Sequence, residues 1–246
     1  MTITQSSIKT GNWLFVRRGW LPIFVYIPAT LALLFASPES IFNWSSAMGI
    51  VCLGVSLVGI GIRSLVIGFT PKNTSGRNTT EGQVADTLNT KGMYSIVRHP
   101  LYIGNFMMWL GLILYVGVDW FIPLIVIAYW WYYEKIVMAE EDFLLRKFGT
   151  PYQEWCDRTN AFLPKFSHWE KPELGFSFRN VIKREYHGFF YLTLSFLYIS
   201  VLRNFALGSE ELMNRFWLYL FLAVAVCSLI IRIIVKRSKV LDLEGR

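Results

Sequence analysis

The side chains best suited to chemistry in this chain fall in two clusters. The first runs Tyr94, Arg98, His99, Pro100, Tyr102 and Gly104, and the second is Glu140-Glu141 followed by Tyr152. Arginine and histidine directly before a proline put cationic and hydrogen-bonding groups at the start of a helix, because proline is favoured in the first helical turn. The helix in question is apolar from Pro100 to Val116, so charge is being held against a greasy segment. A bland role exists for each cluster alone: Arg98-His99 would serve as interfacial anchors, and Glu140-Glu141 as a solvated helix face. Three histidines and three scattered cysteines offer no metal-ligand spacing and no disulfide framework.

The elements that must position these clusters are membrane helices. The chain is 54% hydrophobic and 17% aromatic, beyond the range of an ordinary soluble domain. Apolar runs near the roughly 20 residues that cross a bilayer occur at 19–36, 44–69, 100–116, 120–137, 186–207 and 213–235. This predicts an all-α, polytopic integral membrane bundle of about six transmembrane helices. Residues 1–18 read as a polar lead, Pro28 as a kink in the first span, and 70–98 as a long loop without helical or strand period. The net charge of +7 could suggest nucleic acid, but basic excess in such a chain marks cytoplasmic loops. Of the 24 Lys and Arg residues, all but Arg63, Arg203, Arg215 and Arg232 fall on one side of a six-span arrangement. The positive-inside rule then puts both termini and both long loops in the cytoplasm.

Topology brings the two clusters together. Gly117-Val118-Asp119 is too short to do anything but turn the third span back as the fourth, so their cytoplasmic ends are neighbours. Glu134 to Tyr152 reads as an amphipathic helix leaving the membrane and stopping at Gly149. Arg98 and His99 therefore face Glu140 and Glu141 across one pocket mouth. Arg63, about 9 Å inside the second span at the helical rise, either snorkels to the interface or turns inward to a ligand.

The pattern Gly92-x-Tyr94-x-x-x-Arg98-His99-Pro100-x-Tyr102-x-Gly104, then Glu140-Glu141-x-x-Leu144-x-x-x-Phe148-Gly149-x-x-Tyr152 and Leu163-Pro164, resembles the isoprenylcysteine carboxyl methyltransferase and phospholipid methyltransferase superfamily. The resemblance covers roughly Gly49 to Pro164. It departs at Met93, where the family often has proline, and the final two spans lie outside the common core. It implies a domain of residues 1–165, the methyltransferase core, followed by 166–246, a basic cytoplasmic linker and a C-terminal transmembrane hairpin.

What the resemblance implies about the site is specific. S-adenosylmethionine (SAM) is held at the cytoplasmic face by Tyr94, Arg98, His99, Pro100, Tyr102 and Gly104 from one side and Glu140 and Glu141 from the other, with Arg98, His99 and Glu141 nearest the chemistry. Physically, the SAM carboxylate suits Arg98 and the positive end of the helix beginning at Pro100. Its ribose hydroxyls and ammonium suit Glu140 or Glu141, and Gly104 would let its backbone approach. The acceptor is a lipid or lipidated substrate entering from the bilayer, with Arg63, Arg77 and Tyr152 as substrate contacts. An anionic acceptor needs no base, whereas an amine would call on His99.

The stretch from Thr74 to Thr90 looks like a bacterial branch that methylates the 1-phosphate of lipid A, which implies a bacterial inner membrane. Carboxyl methylation of a prenylated cysteine and N-methylation of a phospholipid amine are the alternatives. Another class, the nicotinamide-dependent membrane reductases, has a similar fold.

Overall fold

The computed structural model describes residues 2–42, 46–72, 74, 77–79, 82–243 and 245. In order, the helices are α1 (Ile3–Arg17), α2 (Tyr26–Phe35), α3 (Ser46–Phe69), α4 (Met93–Ile96), α5 (Pro100–Val116), α6 (Phe121–Phe148), α7 (Thr150–Arg158), α8 (Phe178–Ala206) and α9 (Arg215–Arg237). Short 3-10 turns cover Leu21–Val25, Pro38–Ser40 and Phe166–His168. Among the described residues, four helices are long and apolar enough to cross a membrane, or five if the bent pair 4–17 and 21–35 counts as one span. The third predicted span is α5, whose 17 residues give about 25 Å of length, short of a roughly 30 Å hydrocarbon core.

The polar lead is in fact a helix. Thr2 and Gln5 form a reciprocal capping box at its start. Ser7, Gly11, Leu14 and Phe15 are buried at i, i+4, i+7 and i+8, so one face of α1 is committed to packing. That face lies on α6, and a Cβ at Gly11 would stand 1.9 Å from the Lys135 carbonyl. The chain then bends by 92° into residues 21–35. Pro22 falls in the 3-10 turn and Pro28 in the first turn of α2, where a missing N–H is tolerated; the break precedes α2 rather than kinking a continuous span.

The α3–α5 interface sets the frame of the bundle. A Cβ on Gly59 would come 2.4 Å from the Gly104 carbonyl, and one on Gly111 would meet Ser56 Oγ at 2.1 Å. Small residues let the two backbones approach, and Ser56 Oγ donates to the Met108 carbonyl at 2.8 Å across the seam. Gly117 (φ 69°) ends α5, and Phe121 begins α6 after the expected short turn. α6 runs unbroken through the predicted span and the amphipathic segment to Gly149 (φ 59°), where α7 starts with Pro151 in its first turn.

Residues 70–98 are more than a plain loop. β1 (Arg77–Thr79) and β2 (Gly82–Val84) pair antiparallel, with Thr74 bridged to Thr87. A short two-stranded pairing rests on backbone hydrogen bonds, so it leaves little apolar alternation to read. At the far end, α8 begins at Phe178, earlier than the predicted span, and packs on α3, α2 and α5. Arg203 does not end it early: the buried guanidinium donates to the carbonyls of Val116 (2.6 Å) and Phe42 (2.8 Å). α9 packs on α8 and presents Phe216, Tyr219, Leu222, Val226 and Ile230 outward, as a lipid-facing helix does.

Candidate active site

The start of α5 is fixed by its neighbours before any ligand is considered. The N–H groups of Arg98 and His99 donate to the carbonyls of Asn160 and Ala161, and Lys165 N–H donates to the Ile96 carbonyl. The segment after α7 is thereby laid alongside residues 96–99. Trp155 Nε1 donates to the Tyr94 carbonyl at 3.0 Å, which ties α7 to α4.

Arg98 is the centre of a clamp. Its Nε and Nη2 donate to Glu141 Oε1 at 3.1 and 3.0 Å, and Nη1 donates to the carbonyls of Cys156 (3.1 Å) and Thr159 (2.5 Å). His99 Nε2 sits 2.9 Å from the same Glu141 oxygen. One carboxylate oxygen thus holds both side chains, and the Arg98 guanidinium extends the link to α7.

Beside the clamp lies a cavity of about 460 Å³, within the roughly 300–1,000 Å³ usual for small-molecule sites. Arg98, His99, Pro100, Tyr102, Tyr94 and Glu140 line it. Tyr102 Oη donates to Glu140 Oε2 at 2.7 Å, so this buried carboxylate keeps its other oxygen for a ligand. Burial, reinforced by the nearby Glu140 charge, holds the Tyr94 phenol well above its usual pKa, so it stays protonated as a donor.

Other expected residues are placed elsewhere. Glu141 is outside the lining and faces the clamp. Tyr152 is buried with Tyr94, Leu144 and Trp155 in an apolar cluster behind the wall; burial, then the Glu141 charge, raises its phenol pKa. Gly104 faces α3: a Cβ there would meet Arg63 Cγ at 2.7 Å and the Gly59 carbonyl at 2.9 Å, so close helix packing requires the glycine. Arg63 turns inward and lines the cavity. The backbone of Arg77 is in β1, and its side chain lies outside what the structure describes.

Several lining residues escaped sequence reasoning. Arg18, which read as the end of the polar lead, reaches the cavity because of the bend after α1, and Trp155 reaches it from α7. Asn105 and Tyr133 follow from α5–α6 adjacency, with Asn105 Nδ2 donating to Tyr133 Oη at 3.3 Å. Glu185, on α8, pairs with Arg63 across 122 residues of sequence, and no local signal pointed to it. A second cavity, apolar and about 200 Å³, lies between the 3-10 turn 21–25, α5 and α6, and shares Pro22, Trp109 and Tyr133 with the first.

A bundle of membrane-length helices with a charged cavity at the helix ends is the frame in which the comparisons are set. Residues 46–151 match the phospholipid methyltransferase family model. A probable protein-S-isoprenylcysteine O-methyltransferase of Oryza sativa subsp. indica is 32% identical over 147 residues, 55% of this chain and 69% of that protein. The protein-S-isoprenylcysteine O-methyltransferase of Schizosaccharomyces pombe is 28% identical over 120 residues, 49% of each chain. The cobalt-zinc-cadmium resistance protein CzcN of Cupriavidus metallidurans is 29% identical over 150 residues, 60% of this chain and 63% of that protein. This chain belongs to the isoprenylcysteine and phospholipid methyltransferase family. It spans about half the length of the Schizosaccharomyces relative. No solved structure matches it.

Proposed function

We propose that this protein is an integral membrane methyltransferase that uses SAM and methylates the polar head of a lipid-like acceptor at the cytoplasmic face. The observation that carries this reading is the Tyr102–Glu140 pair facing a cavity of cofactor size, beside the Arg98–His99–Glu141 clamp. The donor set fits SAM. Glu140 would accept from the ribose hydroxyls or the ammonium, Tyr94, Leu144 and Trp155 would offer the adenine an apolar slot, and the cationic wall with the helix start at Pro100 would take the carboxylate. When bound, SAM supplies a methyl group on a sulfonium centre, ready for in-line attack.

The chain's own residues position and exclude water, which supplies most of what methyl transfer needs. Arg98 and Glu141 hold the α5 start and the α7 segment against each other rather than touching the reacting atoms. An acceptor that is already anionic needs no base, whereas an amine would call on the other ring nitrogen of His99, whose Nε2 is held by Glu141. The apolar cavity sharing Trp109 and Tyr133 would take the acceptor's hydrocarbon. Two of the relatives described above are named for isoprenylcysteine, and a carboxylate such as that of a prenylated cysteine is the acceptor these observations favour. The lipid A phosphate expected from residues 74–90 finds no support in those relatives. The basic-residue asymmetry of a six-span arrangement supports cytoplasmic termini and a cytoplasm-facing cavity.

The test is purified full-length protein in detergent with methyl-labelled SAM and membrane lipid extract. Label is expected in the lipid fraction, with product mass one methyl above the acceptor. NADPH oxidation with no label transferred would overturn this reading in favour of a reductase.

A further inference from the structure

Arg63 and Glu185 form a second ion pair, inside the bundle. Arg63 Nε donates to Glu185 Oε2 at 2.9 Å, Nη2 to Oε1 at 2.7 Å, and Nη1 to Asn105 Oδ1 at 2.5 Å. Glu185 is only 2% exposed, while the Arg63 side chain is 24% exposed and lines the large cavity. A carboxylate removed from water is costly, and a matched apolar pair would stabilise the bundle at least as well. An ionisable pair kept at membrane depth therefore calls for a functional reason.

The geometry supplies one. The guanidinium has five N–H groups, and the three bonds above leave one N–H on Nη1 and one on Nη2. The bidentate grip of Glu185 fixes the plane in which they lie. On α5, the Arg63 contacts are Gly104 and Asn105, roughly 6–8 Å along the axis from Pro100 at the helical rise. Arg63 is thus deeper than the Tyr94, His99 and Glu140 wall. Asn105 leads to Tyr133, which both cavities share. An anionic group at Arg63 would have its hydrocarbon beside the apolar cavity.

We infer that Arg63 is the binding residue for the anionic head of an amphiphilic acceptor, and that Glu185, from the C-terminal hairpin outside the family match, is its positioning residue. This deepens the methyltransferase reading and rests on it for the word acceptor. The hairpin α8–α9 is then part of the site rather than an appendage, and the selectivity for a charged over a neutral head depends on it.

The probes are N-acetyl-S-farnesyl-L-cysteine, an anion at neutral pH, and its uncharged carboxamide, with binding to full-length protein in detergent measured by calorimetry. Wild type is expected to prefer the carboxylate by about tenfold or more. Arg63→Gln and Glu185→Gln should each lose most of that preference, and Glu185→Gln, outside the cavity lining, should do so while binding SAM within about twofold of wild type. The double variant Arg63→Met/Glu185→Met removes both charges together, so it should fold, bind SAM and show no preference. A wild-type protein indifferent to the charge, or a preference surviving in the double variant, overturns the inference. Failure of the methyltransferase reading is distinguishable, because the carboxylate preference and its loss would persist without SAM binding or methyl transfer.

Discussion

Two arginines that line the large cavity each hold a glutamate, and they use their donors differently. Arg98 spends its bonds on Glu141 and on the carbonyls of Cys156 and Thr159, so nearly the whole guanidinium is consumed in joining α5, α6 and α7. Arg63 spends three N–H groups on Glu185 and Asn105 and keeps two at the cavity. The contrast separates a group that builds the site from one able to receive a ligand. It also shows why motif membership is a poor guide to role: Arg98 belongs to the motif and acts as scaffold, whereas Glu185 lies outside the matched stretch and orients a wall residue.

The comparison breaks most readily at Arg98. Arg98→Ala leaves two carbonyls without their side-chain donor and Glu141 with His99 alone, and loss of a partner from a largely buried pair costs about 3–5 kcal/mol. SAM binding is expected to vanish and the thermal midpoint in detergent to fall; an unchanged midpoint would remove the scaffold role. Gly59→Val comes next. It drives a side chain into the Gly104 carbonyl and Met108, with an expected loss of about 1–3 kcal/mol read in the same thermal scan. A variant as stable as wild type would show that the α3–α5 seam can spread.

Glu140→Gln sharpens the distinction between building and binding. Tyr102 can still donate to the amide oxygen, so folding should survive, while loss of a charge-assisted bond weakens SAM about tenfold in an equilibrium binding assay. Equal affinity would move the cofactor's polar groups away from Glu140. The smallest effect is expected at Lys91, whose 3.1 Å pair with Glu173 is exposed on both sides. Lys91→Ala should change stability by less than about 1 kcal/mol. A large drop in acceptor turnover with unchanged stability would instead revive a head-group role for the 70–98 segment.

Much of the frame was legible because it follows from local rules. The span from Pro100 to Val116, the turn at Gly117 and the stop at Gly149 coincide with residues whose backbone preferences dictate them. The meeting of Arg98 and His99 with Glu141 followed from one short connection. What sequence could not supply were contacts set by tertiary geometry. Gly104 read as room for a cofactor, but the space is filled by Arg63 and the Gly59 backbone. Arg18 reaches the cavity only because the chain bends there, and Glu185 sits in a segment that looked merely basic and soluble.

The bend after α1 also bears on how the protein is made. Ser7 and Lys135, joined by a 3.2 Å hydrogen bond between α1 and α6, are 128 residues apart. At about 5–20 residues per second, α1 waits roughly 6–25 s for the surface it packs against to leave the ribosome. Its capping box and amphipathic face suit it to wait as a helix at the membrane surface. Arg18 comes to rest only when α1 docks on α6, so this wall of the cavity, from the start of the chain, is put in place after α3 and α5 have been made and before α8 brings Glu185 to Arg63.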